Sequence, residues 1–340
     1  MIRRAGNLIN AFEAAEGPPP QSLGAFFKWC LGGTFPILGG AAALSAIAGT
    51  VEVFTALILG HLIDTALSSE PGSFFTTNIW VITGALAFFL LARPLAMGLS
   101  AMANTVVVQP NVNPLVLSRL HRWTLGQAIS FFDNDFAGRI AQKQLQTARA
   151  VTDVAAEVIN VVFFALASLV GSALVLTTIN GWMSLTLAVW VMCYLLMIRW
   201  FMPRIRERAK ARAGARAMVT GQVVDTITNM RTVKLFAHAD FEESAALGAI
   251  AEFRERVLDY GLIAAAFRFC LMAVAGMVPV MLIGGTLYFW SIGQATPGDI
   301  AAAGAIAIRI AQMSGWVSHT LMAIYSNICL LYTSPSPRDS

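Results

Sequence analysis

Six long apolar runs, set apart by polar segments of very unequal length, organise this chain. They cover approximately 35–63, 79–108, 154–179, 182–202, 260–292 and 299–328. About 20 helical residues cross a bilayer core. Every run meets that length and several are nearer 30 residues, so the helices they predict are tilted or project beyond the lipid. The fold class that follows is an all-α membrane protein with six transmembrane helices.

The connections settle orientation. Segments 64–78, 180–181 and 293–298 are short and contain no Lys or Arg. Segment 109–153 carries Arg119, Arg122, Arg139, Lys143 and Arg149, and segment 203–259 carries ten cations from Arg204 to Arg256. The positive-inside rule puts both long segments, and both termini, in the cytoplasm. Neither long segment reads as a linker. No proline lies between Pro114 and Pro203 or between Pro203 and Pro279, and Arg204–Arg216 is built from strong helix formers. The membrane helices are therefore expected to continue into the cytoplasm; about 25 further residues reach some 35–40 Å. A separate small cytoplasmic domain is the competing reading, but neither segment has an apolar core of its own. Upstream, 22–34 is short and amphipathic, with Leu23, Phe26, Phe27, Lys28 and Trp29, and reads as a helix along the inner interface. At the last run, Thr296, Pro297 and Asp299 read as N-cap, first helical residue and acidic third position.

Composition agrees and narrows the chemistry. The 340 residues are 57% apolar and 12% charged, against about 25% charged in soluble domains. Net charge is only +4, so its distribution matters more than its size; nothing calls for a nucleic-acid partner. Cys30, Cys193, Cys270 and Cys329 form no C-x-x-C, and no His stands at metal-ligand spacing, so no metal site or disulfide framework is expected. No secretory signal precedes the first run.

Ionisable groups inside a span are costly and mark candidate sites. They are Glu52, Arg93, Arg268 and Arg309. Counting along the helices, Glu52 lies about 16 Å, Arg93 about 21 Å and Arg309 about 15 Å below the outer ends of their runs. Glu52 can thus pair with Arg93 or Arg309. The pairing is read either as a polar patch for an anionic or amphipathic substrate or as an ion pair that only fixes packing. Pro94 is expected to kink the second run beside Arg93. Arg268 sits near the cytoplasmic end of the fifth run.

Three stretches carry a family resemblance: Phe131–Arg139 (FFDNDFAGR), Gln222–Phe236 (QVVDTITNMRTVKLF) and Ile292–Ile300 (IGQATPGDI). In this order, and with two long cytoplasmic segments, the chain over about 23–328 resembles the membrane domain of ABC exporters of the multidrug or lipid half-transporter type. Asp225 stands where that family more often has Glu. The resemblance implies a dimer with a second copy or a homologous half-transporter, and a nucleotide-binding domain that uses ATP and Mg. It implies alternating access driven through two coupling helices, placed at Asp133, Asn134, Asp135, Phe136, Ala137, Gly138 and Arg139 and at Val223, Val224, Asp225, Thr226, Ile227, Thr228 and Asn229. The sixth helix commonly lines the cavity in that family, so Trp316 and His319 join Glu52, Arg93 and Arg309 as candidate cavity residues; a packed or hydrogen-bonded helix histidine is the other reading of His319. The expected location is a bacterial inner membrane.

No G-x-x-x-x-G-K-[ST] or L-S-G-G-Q occurs in the chain. The expected organisation is a leader with an interfacial helix at 1–34, the six-helix domain at 35–328, and a tail at 329–340 that resembles translated adaptor sequence, with the natural protein continuing into a nucleotide-binding domain. A membrane subunit with a separately encoded ATPase is the alternative. An ion-coupled secondary transporter would show repeats and paired midplane acids, and Glu52 is the one acid near mid-span. A membrane enzyme would cluster its histidines, whereas His61, His121, His238 and His319 are scattered.

Overall fold

The computed structural model describes residues 6, 8–70, 72–133, 137–235 and 239–333. Among these residues there is no strand. Six helices are long and apolar enough to cross a membrane: span one Phe35–Ser68, span two Ile79–Leu125, span three Ile140–Ile179, span four Gly181–Thr228, span five Glu243–Ser291 and span six Pro297–Ile328. Four of them run well past the apolar stretches, as their composition predicts. Span four alone has 48 residues, about 72 Å of helix at 1.5 Å per residue, where the hydrocarbon core needs about 30 Å.

The chain divides into two compact units, Met1–Ala188 with Val278–Ser340, and Val189–Met277. In the first unit, span one packs on spans three, six and two. Helices in lipid gain little from burying apolar surface against one another, so close approach relies on small residues and polar contacts. A Cβ at Gly49 would collide with the backbone carbonyl of Phe164 in span three, and one at Gly60 would lie 2.6 Å from the carbonyl oxygen of Gly298 in span six. The Ser45 hydroxyl donates to the Asn160 carbonyl at 3.3 Å, again joining spans one and three.

Span two contains two π turns. One covers Phe88–Ala92, where the Arg93 N–H reaches the Phe88 carbonyl. The other covers Ala103–Val108, where the Gln109 N–H reaches the Asn104 carbonyl. Each stands just ahead of a proline, Pro94 or Pro110. The widened turn takes up a backbone in which proline offers no N–H and clashes with the preceding turn. Where the sequence predicts a kink at Pro94, span two carries a π turn, one inserted residue that changes the register of the side chains after it. Span three has a third π turn, Val158–Val162, with no proline behind it.

The amphipathic segment is a helix, Leu23–Leu31. Its apolar face is spent on protein: Phe26, Cys30 and Leu31 are buried in a cluster with Val112, Leu115 and Val116 of span two. Arg119, 3% exposed, fixes the leader. Its guanidinium donates to the carbonyls of Glu13 at 3.0 Å, Trp29 at 2.8 Å, Cys30 at 3.0 Å and Gly32 at 2.9 Å. Asn111 and Ser118 add bonds to the carbonyls of Gly6 and Ala11. A residue that the charge pattern assigns to an orienting basic loop is therefore a buried clamp.

The second unit is built from facing stretches of spans four and five. The Trp190 indole donates to the Val274 carbonyl at 2.7 Å, Phe201 meets Phe267 edge-on at 5.3 Å, and Arg208 pairs with Asp259 at 3.2 Å. The Arg212 guanidinium lies 3.9 Å from the centre of the Tyr260 ring.

Candidate functional site

Span one presents Ala48, Glu52 and Ala56 on one buried face, a spacing of four that stacks them on one side of the helix. The alanines leave room around the carboxylate, whose side chain is 4% exposed. An unpaired carboxylate there would be costly, because a low-dielectric site disfavours an uncompensated charge. Two cations compensate it. Arg93 of span two donates from Nε to Glu52 Oε1 at 3.0 Å and from Nη2 to Oε2 at 3.4 Å, the two-pronged pairing that suits a guanidinium. Arg309 of span six donates from Nη1 to Oε2 at 2.7 Å. The π turn at Phe88–Ala92 immediately precedes Arg93 and sets its direction.

Arg309 also faces an aromatic pair. Its guanidinium lies 5.6 Å from the Phe164 ring centre, and Phe164 meets Trp316 at 5.9 Å. Around the charges opens a cleft of about 180 Å³, lined among others by Thr55, Ser168, Ser172 and Gln312. The Thr55 hydroxyl oxygen is buried and has no hydrogen-bond partner among the described residues. The cleft walls hold one carboxylate and two guanidiniums, so they carry a net positive charge.

The structure thus brings Glu52, Arg93 and Arg309 together, and Glu52 binds both arginines rather than one of them. Trp316 and His319 are exposed and do not line this cleft, although Trp316 adjoins it through Phe164. Arg268 is exposed on span five. Thr55, Phe164, Ser168, Ser172 and Gln312 escape the sequence reading. The Ser168–Ser172 pair, four apart in an apolar run, is the one signal that points to a polar helix face.

Asp64, at the far end of span one, is a second polar contact that the sequence does not reveal. Its carboxylate accepts from the Thr296 hydroxyl and from the Gly298 N–H, both at 2.7 Å. The capping pattern itself is as expected: the Thr296 N–H reaches Asp299 Oδ2 at 2.8 Å and the Asp299 N–H reaches Thr296 Oγ1 at 3.1 Å. Span six is thereby capped twice, once from its own sequence and once from span one. Glu157 of span three similarly accepts from the Thr320 hydroxyl of span six at 3.1 Å.

The two segments suggested for coupling differ in what is described. Asp133 ends the short helix Ile129–Asp133, and Ala137, Gly138 and Arg139 open the helix Ala137–Glu157. Asn134, Asp135 and Phe136 lie outside the described residues, as do the side chains of Asp133, Ala137 and Arg139. Val223–Thr228 form the end of span four, which closes at Asn229, where the Asn229 amide donates to Asp225 Oδ1 at 2.9 Å. Val223, Val224 and Ile227 are 41%, 57% and 64% exposed on this last turn.

Comparison with known proteins agrees with this architecture. Residues 38–313 match the family described as ABC transporter transmembrane region. An "Uncharacterized ABC transporter ATP-binding protein" of Haemophilus influenzae (strain ATCC 51907 / DSM 11121 / KW20 / Rd) is 28% identical over 288 residues, covering 84% of this chain and 47% of the relative. Among solved structures, "Structure of a bacterial Atm1-family ABC exporter with ATP bound" superposes with a TM-score of 0.71, covering 88% of this chain and 52% of that chain at 12% identity. At that identity the likeness is one of fold. The chain spans about half the length of these relatives. With a match across 38–313 and six spans in this arrangement, the chain belongs to the ABC transporter transmembrane region family.

Proposed function

We propose that this chain is the membrane domain of an ATP-driven exporter that moves an amphipathic or lipid-like substrate outward by alternating access. The observation that carries this reading is span four: one continuous helix, far longer than a bilayer core, ending in the exposed apolar residues Val223, Val224 and Ile227. A stiff helix transmits a displacement over tens of ångströms as a rigid body, and an exposed apolar tip has surface to bury against a partner. Val223–Asn229 therefore forms one coupling element and Asp133–Arg139 the other, each seated on a nucleotide-binding domain, fused or separate. A second copy, or a homologous half-transporter, completes the translocation pathway.

ATP and Mg belong to that nucleotide-binding domain. The pattern G-x-x-x-x-G-K-[ST] does not occur in these 340 residues, and no nucleotide step is assigned to this chain. Its own residues supply the cavity and the coupling. Glu52, Arg93 and Arg309 form the polar part of the cavity, with Trp316 and His319 on the same helix as Arg309. The leader at 1–34 and the six-helix domain at 35–328 act as one membrane unit, in a bacterial inner membrane with both ends on the cytoplasmic face.

Inside-out vesicles containing the full-length protein, or this chain with its nucleotide-binding subunit, test the proposal. Substrate uptake should require ATP. Val224→Asp combined with Ile227→Asp should leave basal ATP hydrolysis in place while cutting uptake at least tenfold. Uptake that needs no ATP, or that survives the double substitution unchanged, overturns the reading.

A further inference from the structure

Glu52 takes only part of what its two partners offer. A guanidinium carries five N–H donors; the carboxylate uses two of Arg93's and one of Arg309's. Both arginines remain partly open, their side chains 40% and 32% exposed, while the Glu52 side chain is 4% exposed. The cleft at their edge carries a net positive charge and adds the Thr55 hydroxyl, buried and without a partner among the described residues. An uncompensated positive charge at this depth is unfavourable, and an anion entering the cleft would remove it. Next to the charges stands Trp316, 40% exposed and packed on the buried Phe164, an aromatic surface that suits an apolar body.

From this arrangement we infer that Glu52 is a resident counter-ion in a binding site for the head of an amphipathic anion. The carboxylate or phosphate head of such a ligand bonds the free N–H groups of Arg93 and Arg309 and the Thr55 hydroxyl, while its apolar part lies along Trp316. Glu52 competes with the ligand for the same guanidiniums. It keeps the site from trapping an anion too tightly to release, and it re-pairs with both arginines when the ligand leaves. The inference rests on the exporter reading for its place in a transport cycle, although binding itself needs no nucleotide.

The test is equilibrium binding of dodecyl phosphate, without nucleotide, to the full-length protein in nanodiscs. Dodecyltrimethylammonium and inorganic phosphate serve as comparison probes. Dodecyl phosphate should bind well and the cation hardly at all. Inorganic phosphate should bind more weakly than the alkyl phosphate, because it lacks the apolar part. Glu52→Gln removes the competitor and keeps the shape. It should tighten dodecyl phosphate binding about tenfold, the scale of one charge-assisted hydrogen bond regained. Thr55→Val should weaken it several-fold, and Arg309→Gln should weaken it at least as much. Should Arg309→Gln not fold, Glu52→Gln and Thr55→Val decide the matter. Unchanged or weaker binding in Glu52→Gln, equal binding of the cation, or no preference for the alkyl chain overturns the inference. Selective anion binding without ATP-dependent uptake would instead preserve this site and remove the exporter reading. ATP-dependent uptake that ignores all three substitutions would do the reverse.

Discussion

Glu52 Oε2 stands 2.7 Å from Arg309 Nη1, although 257 positions separate the two residues. With Arg93 bound to the same carboxylate, this contact ties spans one, two and six at one depth. Its energetics are asymmetric. The carboxylate is nearly enclosed, whereas the two arginine side chains are 40% and 32% exposed. Losing the cations strands a buried charge; losing the anion leaves two cations that solvent and neighbouring groups can partly satisfy.

The asymmetry is measurable. Arg93→Met combined with Arg309→Met should lower stability by about 3 kcal/mol, the low end for breaking a buried ion pair, given the exposure of the arginines. Glu52→Gln should cost clearly less. Thermal unfolding in the same detergent would rank the variants, and a Glu52→Gln protein less stable than the double arginine variant contradicts the asymmetry.

At the far ends of the same helices, Gly298 has no room for a side chain. A Cβ there would meet both the Asp64 carboxylate and the Gly60 carbonyl oxygen. Gly298→Ala should therefore destabilise by about 1–3 kcal/mol, the usual range for overpacking. Gly315→Ala, in the same helix with nothing within 4 Å of its added methyl, should be neutral or stabilising by up to about 1 kcal/mol. Comparing their melting temperatures checks the close approach directly; equal values would mean that it does not constrain the fold.

Asp64 should matter through its two hydrogen bonds to the start of span six. Asp64→Ala removes both and should cost about 1–2 kcal/mol, the scale of a lost helix cap. Asp64→Asn, which still accepts through one oxygen, should recover part of that loss. A pair of introduced cysteines near positions 63 and 297 would report the same change as slower cross-linking in Asp64→Ala.

Arg119 anchors the leader through four carbonyls in a geometry that only a planar fork spans. Arg119→Lys keeps the charge but cannot reach them all, and at least about 2 kcal/mol of local stability should be lost. Limited proteolysis gives the readout: cleavage between residues 10 and 34 should accelerate in Arg119→Lys while cleavage elsewhere is unchanged. Uniform acceleration would indicate global rather than local loosening.

Much of this architecture is written along the chain. The six runs, the helices that outlast them, the leader helix and the Thr296–Asp299 cap depend on residues close in sequence, where periodicity, propensity and the energy of apolar groups in lipid decide the outcome. The same logic flagged Glu52, Arg93 and Arg309, because a charge in an apolar run stands out whatever surrounds it. Folding in three dimensions decided everything that depends on partners. Depth counting allowed Glu52 one arginine or the other, and packing supplied both. Asp64 and Arg119 looked like ordinary residues of a loop edge and a basic stretch until distant backbone groups met them. Thr55, Gln312 and the Ser168–Ser172 pair become a cleft only when spans one, three and six come together. The reason is physical: helix formation is governed by neighbours in sequence, whereas satisfying a buried charge depends on which helices meet, and that is fixed by side-chain packing between segments 41 to 257 residues apart.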